Sequence, residues 1–214
     1  MKSHFIILFC LISTAILSQK KVIKKVESQS KEIEISTLGL DDFVIENSES
    51  NFIEVYLVAE NIEEQHILYK EEFDLVKIQF EIPDNKLEDG VFRKFITKRL
   101  HRASAIIKVP KNKVITVFGD EINVESKSYK GDLKIFIENG ILKLHTIHAN
   151  LEVKMYTGNL YATLNKGIID VVSKTGKIKI NDILVEKKYQ KKEEKLDKEI
   201  SIHSLNANIF LTTK

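Results

Sequence analysis

The sequence predicts an all-β fold, a single-stranded β-solenoid (β-helix) with short strands on a nine-residue repeat, and three observations carry that expectation. First, Gly131, Gly140, Gly158, Gly167 and Gly176 lie nine residues apart or a multiple of nine, and Ala149 fills the one vacancy. Second, an apolar residue follows each of these six at plus two (Leu133, Leu142, Leu151, Leu160, Ile169, Ile178) and at plus four (Ile135, Leu144, Val153, Ala162, Val171, Ile180). Third, the positions between are mostly polar, as in Lys134, Lys143, Glu152, Asp170 and Lys179. Side chains in a strand alternate between faces, so the small residue and the two apolar ones share an inward side. A helix would need apolar spacings of three and four, which are missing here. A strict short repeat of this kind marks stacked, near-identical units.

Taken from its start, the chain opens with a basic Lys2, an apolar run from Phe5 to Leu17 and then Ser18, Gln19, Lys20 and Lys21. That order describes a secretory signal peptide over 1–18. The run is too short for a spanning helix, and no later segment could cross a membrane, so no transmembrane segment is expected after cleavage. The only cysteine, Cys10, lies inside the run behind Phe9, which does not fit a lipidation site, and cleavage leaves no thiol or disulfide chemistry. Residues 19–110 form an N-terminal β-rich cap or entry segment. Strands are expected over Glu32–Thr37, Phe43–Asn47, Phe52–Glu60 and Asp74–Ile82, where alternation is clean but the nine-residue grid is missing. Their expected role is an irregular layer over the open end of the stack, whose edge would otherwise be free to pair.

The solenoid itself is assigned to 111–214. Units at Lys113 and Ile122 keep Ile115, Val117 and Val124 in phase, with Ser126 breaking the pattern. A glycine suits a corner that needs positive φ or has no space for a β-carbon. Two or three units would close one coil. The match of Gly131–Gly140 with Gly158–Gly167, 27 residues on, favours three sides. The grid returns in a shifted frame near the end, where Lys198 and Ala207 lead Ile200, Ile202, Ile209 and Leu211 and echo the unit that opens at Ala149. Between the gridded stretches, 185–197 is rich in lysine and glutamate and reads as a projecting loop or short helix.

Residues with chemical potential are few. His145 and His148 lack a Cys or His partner segment for a metal, and His66, His101 and His203 are isolated. Asp41, Asp42 and Glu46 could be imagined as paired carboxylates, but their spacing does not place two carboxyls across a cleft. No phosphate loop, nucleophile elbow, zinc-hydrolase helix or calcium nonapeptide occurs, so no catalytic residue, cofactor or metal is assigned. A formal charge of +2 is too small to imply nucleic acid. The basic residues Arg93, Lys94, Lys98, Arg99, His101 and Arg102, interleaved with Phe92, Phe95, Ile96 and Leu100, could form a short amphipathic element that touches anionic lipid, glycan or a partner. The outward aromatics Phe136, Tyr156 and Tyr161, with Tyr129 nearby, are the candidate surface contacts.

The strand Ile106–Ile107–Lys108–Val109–Pro110, the alternation from Val114 to Phe118, the gridded strands from Gly131 to Ile180 and the opening stretch around Ile45–Glu46–Asn47 and Ile53–Glu54–Val55 carry a resemblance. The chain resembles the bacterial putative-adhesin β-solenoid family of uncharacterised function, related in architecture to the head-GIN putative autotransporter adhesins. The resemblance implies an exported, non-catalytic β-solenoid in the periplasm, on the outer surface or outside the cell. The leading expectation is therefore a cell-envelope or surface binding and structural module whose partner is a protein or a glycan. The rival expectations are a carbohydrate-active β-helix enzyme and an end-to-end assembling envelope scaffold.

Overall fold

The computed structural model describes residues 20–59, 62–82, 103–192 and 198–213. The stretch 1–18 expected as a signal peptide, with Cys10, the basic segment 93–102 with His101, and 193–197 of the charged stretch lie outside the described residues. The described chain is all-β. Its strands are β1 (Lys20–Glu27), β2 (Glu32–Ser36), β3 (Asp42–Asn47), β4 (Phe52–Ala59), β5 (Ile67–Glu72), β6 (Leu75–Phe80), β7 (Ser104–Val109), β8 (Val114–Glu121), β9 (Asn123–Ser126), β10 (Asp132–Ile147), β11 (Leu151–Leu164), β12 (Ile168–Ser173), β13 (Ile178–Ile180), β14 (Ile183–Val185), β15 (Lys188–Lys191) and β16 (Glu199–Thr213). All of them belong to one sheet.

The sheet folds back on itself into two walls around one core. In β10 the first half pairs with β8 (Leu133 beside Ile115) and the second half with β9 (Leu142 beside Val124), so one long strand runs through both walls. The bend falls at Gly140, whose φ is +150°. β11 lies parallel to β10 with Leu133 beside Leu151, Gly140 beside Gly158 and Leu142 beside Leu160. The pairing repeat is therefore eighteen residues, two nine-residue units, one in each wall. The three-sided alignment expected from the sequence is corrected here, because Gly140 meets Gly158 and not a residue 27 positions on. Two walls suffice because the paired residues at plus two and plus four, such as Leu133 with Ile135 and Leu142 with Leu144, are all buried in the single core cluster between them. The position after these is buried as well in Ile137, Met155 and Leu164.

The order of layers departs from the order of the sequence at both ends of the stack. β16 lies between β11 on one side and β12 with β13 on the other, all parallel (Leu151 beside Ile200, Ile169 beside Ile200, Ile178 beside Ile209). The echo between Ala149 and Lys198 read in the sequence is the register of this pairing, which joins Gly158 to Ala207. Likewise β2 and β3 lie between the layer of β6 and β7 and the layer of β8 and β9. No break in the sheet falls at 110/111, since β2, β3, β6 and β7 continue the same parallel ladder.

Antiparallel strands close the ends of both walls: β5 on β6 and β4 with β1 on β7 at one end, β15 on β12 and β14 on β13 at the other. Such edges invite pairing with other chains unless they are short or charged. Here β1 carries Lys20, Lys21, Lys24 and Lys25, and β15 is only four residues long with Lys188 and Lys191. The charged stretch 185–197, expected as a loop or short helix, thus contributes a strand over 188–191, because the edge of β12 needs a partner.

Polar side chains at the bends satisfy the backbone of the neighbouring layer. Asn123 Oδ1 accepts from the Ile141 N–H (3.1 Å), Asn150 Oδ1 from the Glu199 N–H (2.9 Å) and Asn208 Oδ1 from the Lys177 N–H (3.2 Å). Ser126 breaks the apolar pattern yet stays inward and buried. Ser173 and Ser204 form a second inward polar step, with Ser204 donating to Ser173 Oγ (3.0 Å) and Ser173 donating to the Ala207 carbonyl (2.7 Å).

Candidate functional site

Outward residues in the same register stand one above another from layer to layer, at the inter-strand spacing of about 4.8 Å. On the first wall Phe118, Phe136, Lys154, His203 and Val172 form one such column. Phe118 and Phe136 stack at 5.4 Å between ring centroids, and the Lys154 ammonium lies 5.3 Å from the Phe136 centroid. Beside this column stand Tyr156, 59 % exposed, and Leu205. Together these side chains line an open groove of about 750 Å³ that crosses the layers of β8, β10, β11, β16 and β12. The groove is mainly apolar, and its carboxylate, lysine and histidine lining is Asp120, Glu138, Lys154, Lys174 and His203. His203 Nε2 lies 3.0 Å from Asp170 Oδ2, and Lys154 pairs with Glu152 at 2.8 Å. The bond from His203, and next the one from Gln190, holds the Asp170 carboxyl below its ordinary pKa.

The second wall carries a different column, Lys143, Tyr161, Phe210 and Lys179 in successive layers. Tyr161 and Phe210 stack nearly parallel, with centroids 4.9 Å apart and planes at 9°. The Lys179 ammonium lies 6.0 Å from the Phe210 centroid. Thr163 and Thr212 flank the aromatic pair, and these residues line a depression of about 520 Å³.

The four aromatics singled out from the sequence therefore do not form one patch. Phe136 and Tyr156 share the groove of the first wall, and Tyr161 stands on the second. Tyr129 is corrected: it is only 2 % exposed, and its hydroxyl donates to the carbonyls of Pro110 (2.9 Å) and Lys113 (3.2 Å). It fills the space beside Gly131, where a β-carbon would collide with the Tyr129 ring. Burial pushes its phenol pKa up.

Sequence reasoning missed Phe118, Leu205 and Phe210. The signal for Phe118 was present, since it occupies the same position of its unit as Phe136, eighteen residues later. Phe210 follows from the echo of the unit at Ala149, which sets it beside Tyr161.

The titratable groups weighed for catalysis are engaged in holding the sheet. Asp41 Oδ2 accepts from the Ala103 N–H (3.0 Å), Asp42 from Asn123 Nδ2 (3.1 Å), and Glu46 pairs with Lys127 at 2.7 Å. His145 lies 2.7 Å from Glu125, and His66 Nδ1 accepts from the Glu63 N–H. The most perturbed carboxylate is Glu71, with a pKa lowered to about 2. The hydroxyls of Ser30, Tyr69 and Ser28 all donate to it, which ties the β1–β2 connection to β5 and accounts for the shift structurally. Among the described residues no cluster of three or more His, Cys, Asp or Glu could hold a metal ion, and no helix is long and apolar enough to cross a membrane.

No protein-family model matches the chain, and no curated protein matches it. Among solved structures, a putative cell adhesion protein from Clostridium sporogenes is similar, with a TM-score of 0.61 and 15 % identity over 92 % of this chain and 100 % of that one. Putative adhesins from Bacteroides fragilis (TM-score 0.33, 11 % identity, 91 % of this chain and 98 % of that one) and Parabacteroides merdae (0.31, 8 %, 91 % and 96 %) lie too far off to carry an argument. This chain shares the fold of the Clostridium protein over nearly the whole length of both.

Proposed function

We propose that the chain is an exported, non-catalytic β-solenoid of the putative-adhesin type that acts as a binding and structural module at the cell envelope or surface. In this reading residues 1–18 direct export, and the body over 19–110 and 111–214 is one rigid two-walled stack whose coils are eighteen residues long. The observation that carries the reading is the groove of about 750 Å³ on the first wall, where Phe118, Phe136, Tyr156, Leu205 and Val172 present apolar surface to solvent across five layers. Single exposed apolar residues are ordinary, but a contiguous apolar strip is characteristic of an interaction site. Every strand beneath the groove is paired on both sides, so the aromatic side chains are held in fixed positions before a partner arrives and little ordering cost falls on binding. Aromatic anchors of this kind dominate recognition energies. The partner is a protein or a glycan of the envelope.

The reading is tested by binding of residues 20–214 to envelope fractions and to a glycan array. Saturable binding is expected. The pair Phe136→Ser and Tyr156→Ser should weaken it at least about tenfold, the effect of losing about 1.4 kcal/mol, while thermal unfolding stays close to that of the parent. Equal binding by the substituted chain, or binding to neither preparation, contradicts it.

A further inference from the structure

The column on the second wall is chemically distinct from the groove. Lys143 and Lys179 stand at its two ends, three layers apart, about 14 Å at the inter-strand spacing. Among the described residues neither ammonium is paired with a carboxylate. The hydroxyls of Thr163 and Thr212, in the row beside the aromatic pair, make no intramolecular hydrogen bond among the described residues. Tyr161 is 43 % exposed. The acids here are Glu125, the register neighbour of Lys143 in the next layer, which is engaged with His145, and Asp182 in the turn after β13. The strip therefore combines two cations without a carboxylate partner, apolar ring surface and free hydroxyls in one open depression.

We propose that this second wall binds an acidic oligosaccharide laid along the stack, its sugar rings against Tyr161 and Phe210, its hydroxyls against Thr163 and Thr212, and its carboxylates at Lys143 and Lys179. The proposal rests on the reading of the chain as a surface binding module and names a ligand class for it. A sugar polymer fits because successive pyranose units are about as long as one layer is high, so regularly spaced anionic groups can meet regularly spaced layers. Its alternating C–H faces, hydroxyls and charges match the three kinds of group present. An extended peptide would bind a sheet mainly by adding a strand through backbone hydrogen bonds. That route is closed here, because β11 and β16 are paired on both sides.

The test uses residues 20–214 with polygalacturonate, its fully methyl-esterified form and phosphatidylglycerol vesicles as probes. The expected result is binding to polygalacturonate that weakens as salt rises, because exposed charges are screened, with little or no binding to the ester. Lys143→Gln combined with Lys179→Gln should weaken it at least tenfold, and so should Tyr161→Ser combined with Phe210→Ser. Lys134→Gln, an exposed lysine on the other wall outside the groove, should leave it unchanged. Equal binding to acid and ester, indifference to the lysine substitutions, binding to the vesicles alone, or no binding overturns the proposal. If binding to envelope fractions persists while polygalacturonate is ignored, only the ligand class fails. If neither binds, the surface-module reading fails with it.

Discussion

Replacing Ile202 by Asp is expected to cost about 4 kcal/mol or more, enough to unfold a large share of the chain at 37 °C. Ile202 is 0 % exposed, and its neighbours in register are Val153 of β11 and Val171 of β12, both buried. A carboxylate there would lose its hydration and gain no cation, since the layers above and below present only aliphatic side chains at that column. The size of the effect depends on where β16 sits. A last strand lying on the outside of a sheet would tolerate the same change, because water would reach the new charge. Ser201→Lys, one residue away on the outward side between Glu152 and Asp170, serves as the control for adding a charge and should move stability by no more than about 0.5 kcal/mol. Chemical denaturation of both variants measures the contrast.

Gly158→Val is the second large expected effect, about 2–4 kcal/mol. Two costs act together. The backbone at Gly158 has φ of +118°, a region that a β-branched residue rarely enters. A β-carbon there would also overlap the Gly140 carbonyl oxygen and come within 3.0 Å of the Gly140 nitrogen, so two layers would have to separate. Neither contact is with a flexible side-chain end that could yield. Ala207 occupies the same column one layer on and carries a β-carbon without positive φ, whereas at Gly176, one layer further and also without positive φ, a β-carbon would collide with the Ala207 carbonyl, so the room for a side chain differs from layer to layer. Thermal unfolding of Gly158→Val beside Ala207→Gly checks this, with the second change expected to be mild.

Much of this architecture was legible because it rests on alternation. The inward residues Leu133, Leu142, Leu151, Leu160, Ile169 and Ile178 are all buried, as their spacing requires. The N-terminal strands β2, β3, β4 and β6 also fall close to where alternation placed them. The layer order was harder to read. The grid continues in phase from Gly158 to Gly176, so phase alone would stack β12 directly on β11, and only the separate echo of Ala149 at Lys198 points to an intervening strand. β5 was missed because Ile67–Glu72 alternates poorly, being held as the edge partner of β6 by backbone pairing more than by burial. The candidate surfaces were half visible. Phe136 and Tyr156 are outward by phase, but phase does not say which wall a unit occupies, and so Tyr161 was grouped with them. Tyr129 precedes the grid by two residues, and nothing in the period fixed its direction.

The inserted strand connects fold to function. β16 supplies Leu205 and His203 to the groove of the first wall and Phe210 to the column of the second. Without it Tyr161 would meet Lys179 and not a second ring, and the groove would lose one of its five layers. Both candidate surfaces therefore depend on an out-of-order layer, and cysteine cross-linking tests that layer directly. Asn159 and Asn208 are neighbours across β11 and β16, with Asn208 Nδ2 donating to Asn159 Oδ1 at 3.1 Å. In a chain with Cys10 outside the expressed residues 20–214, Asn159→Cys with Asn208→Cys should form an intramolecular disulfide on mild oxidation, because adjacent strands fall within the ~4.4–6.8 Å Cα range of such bonds. Asn159→Cys with Lys177→Cys should not, since Lys177 lies one layer beyond Asn208. Cross-linking of the second pair and not the first would place β12 and β13 directly on β11 and contradict the account.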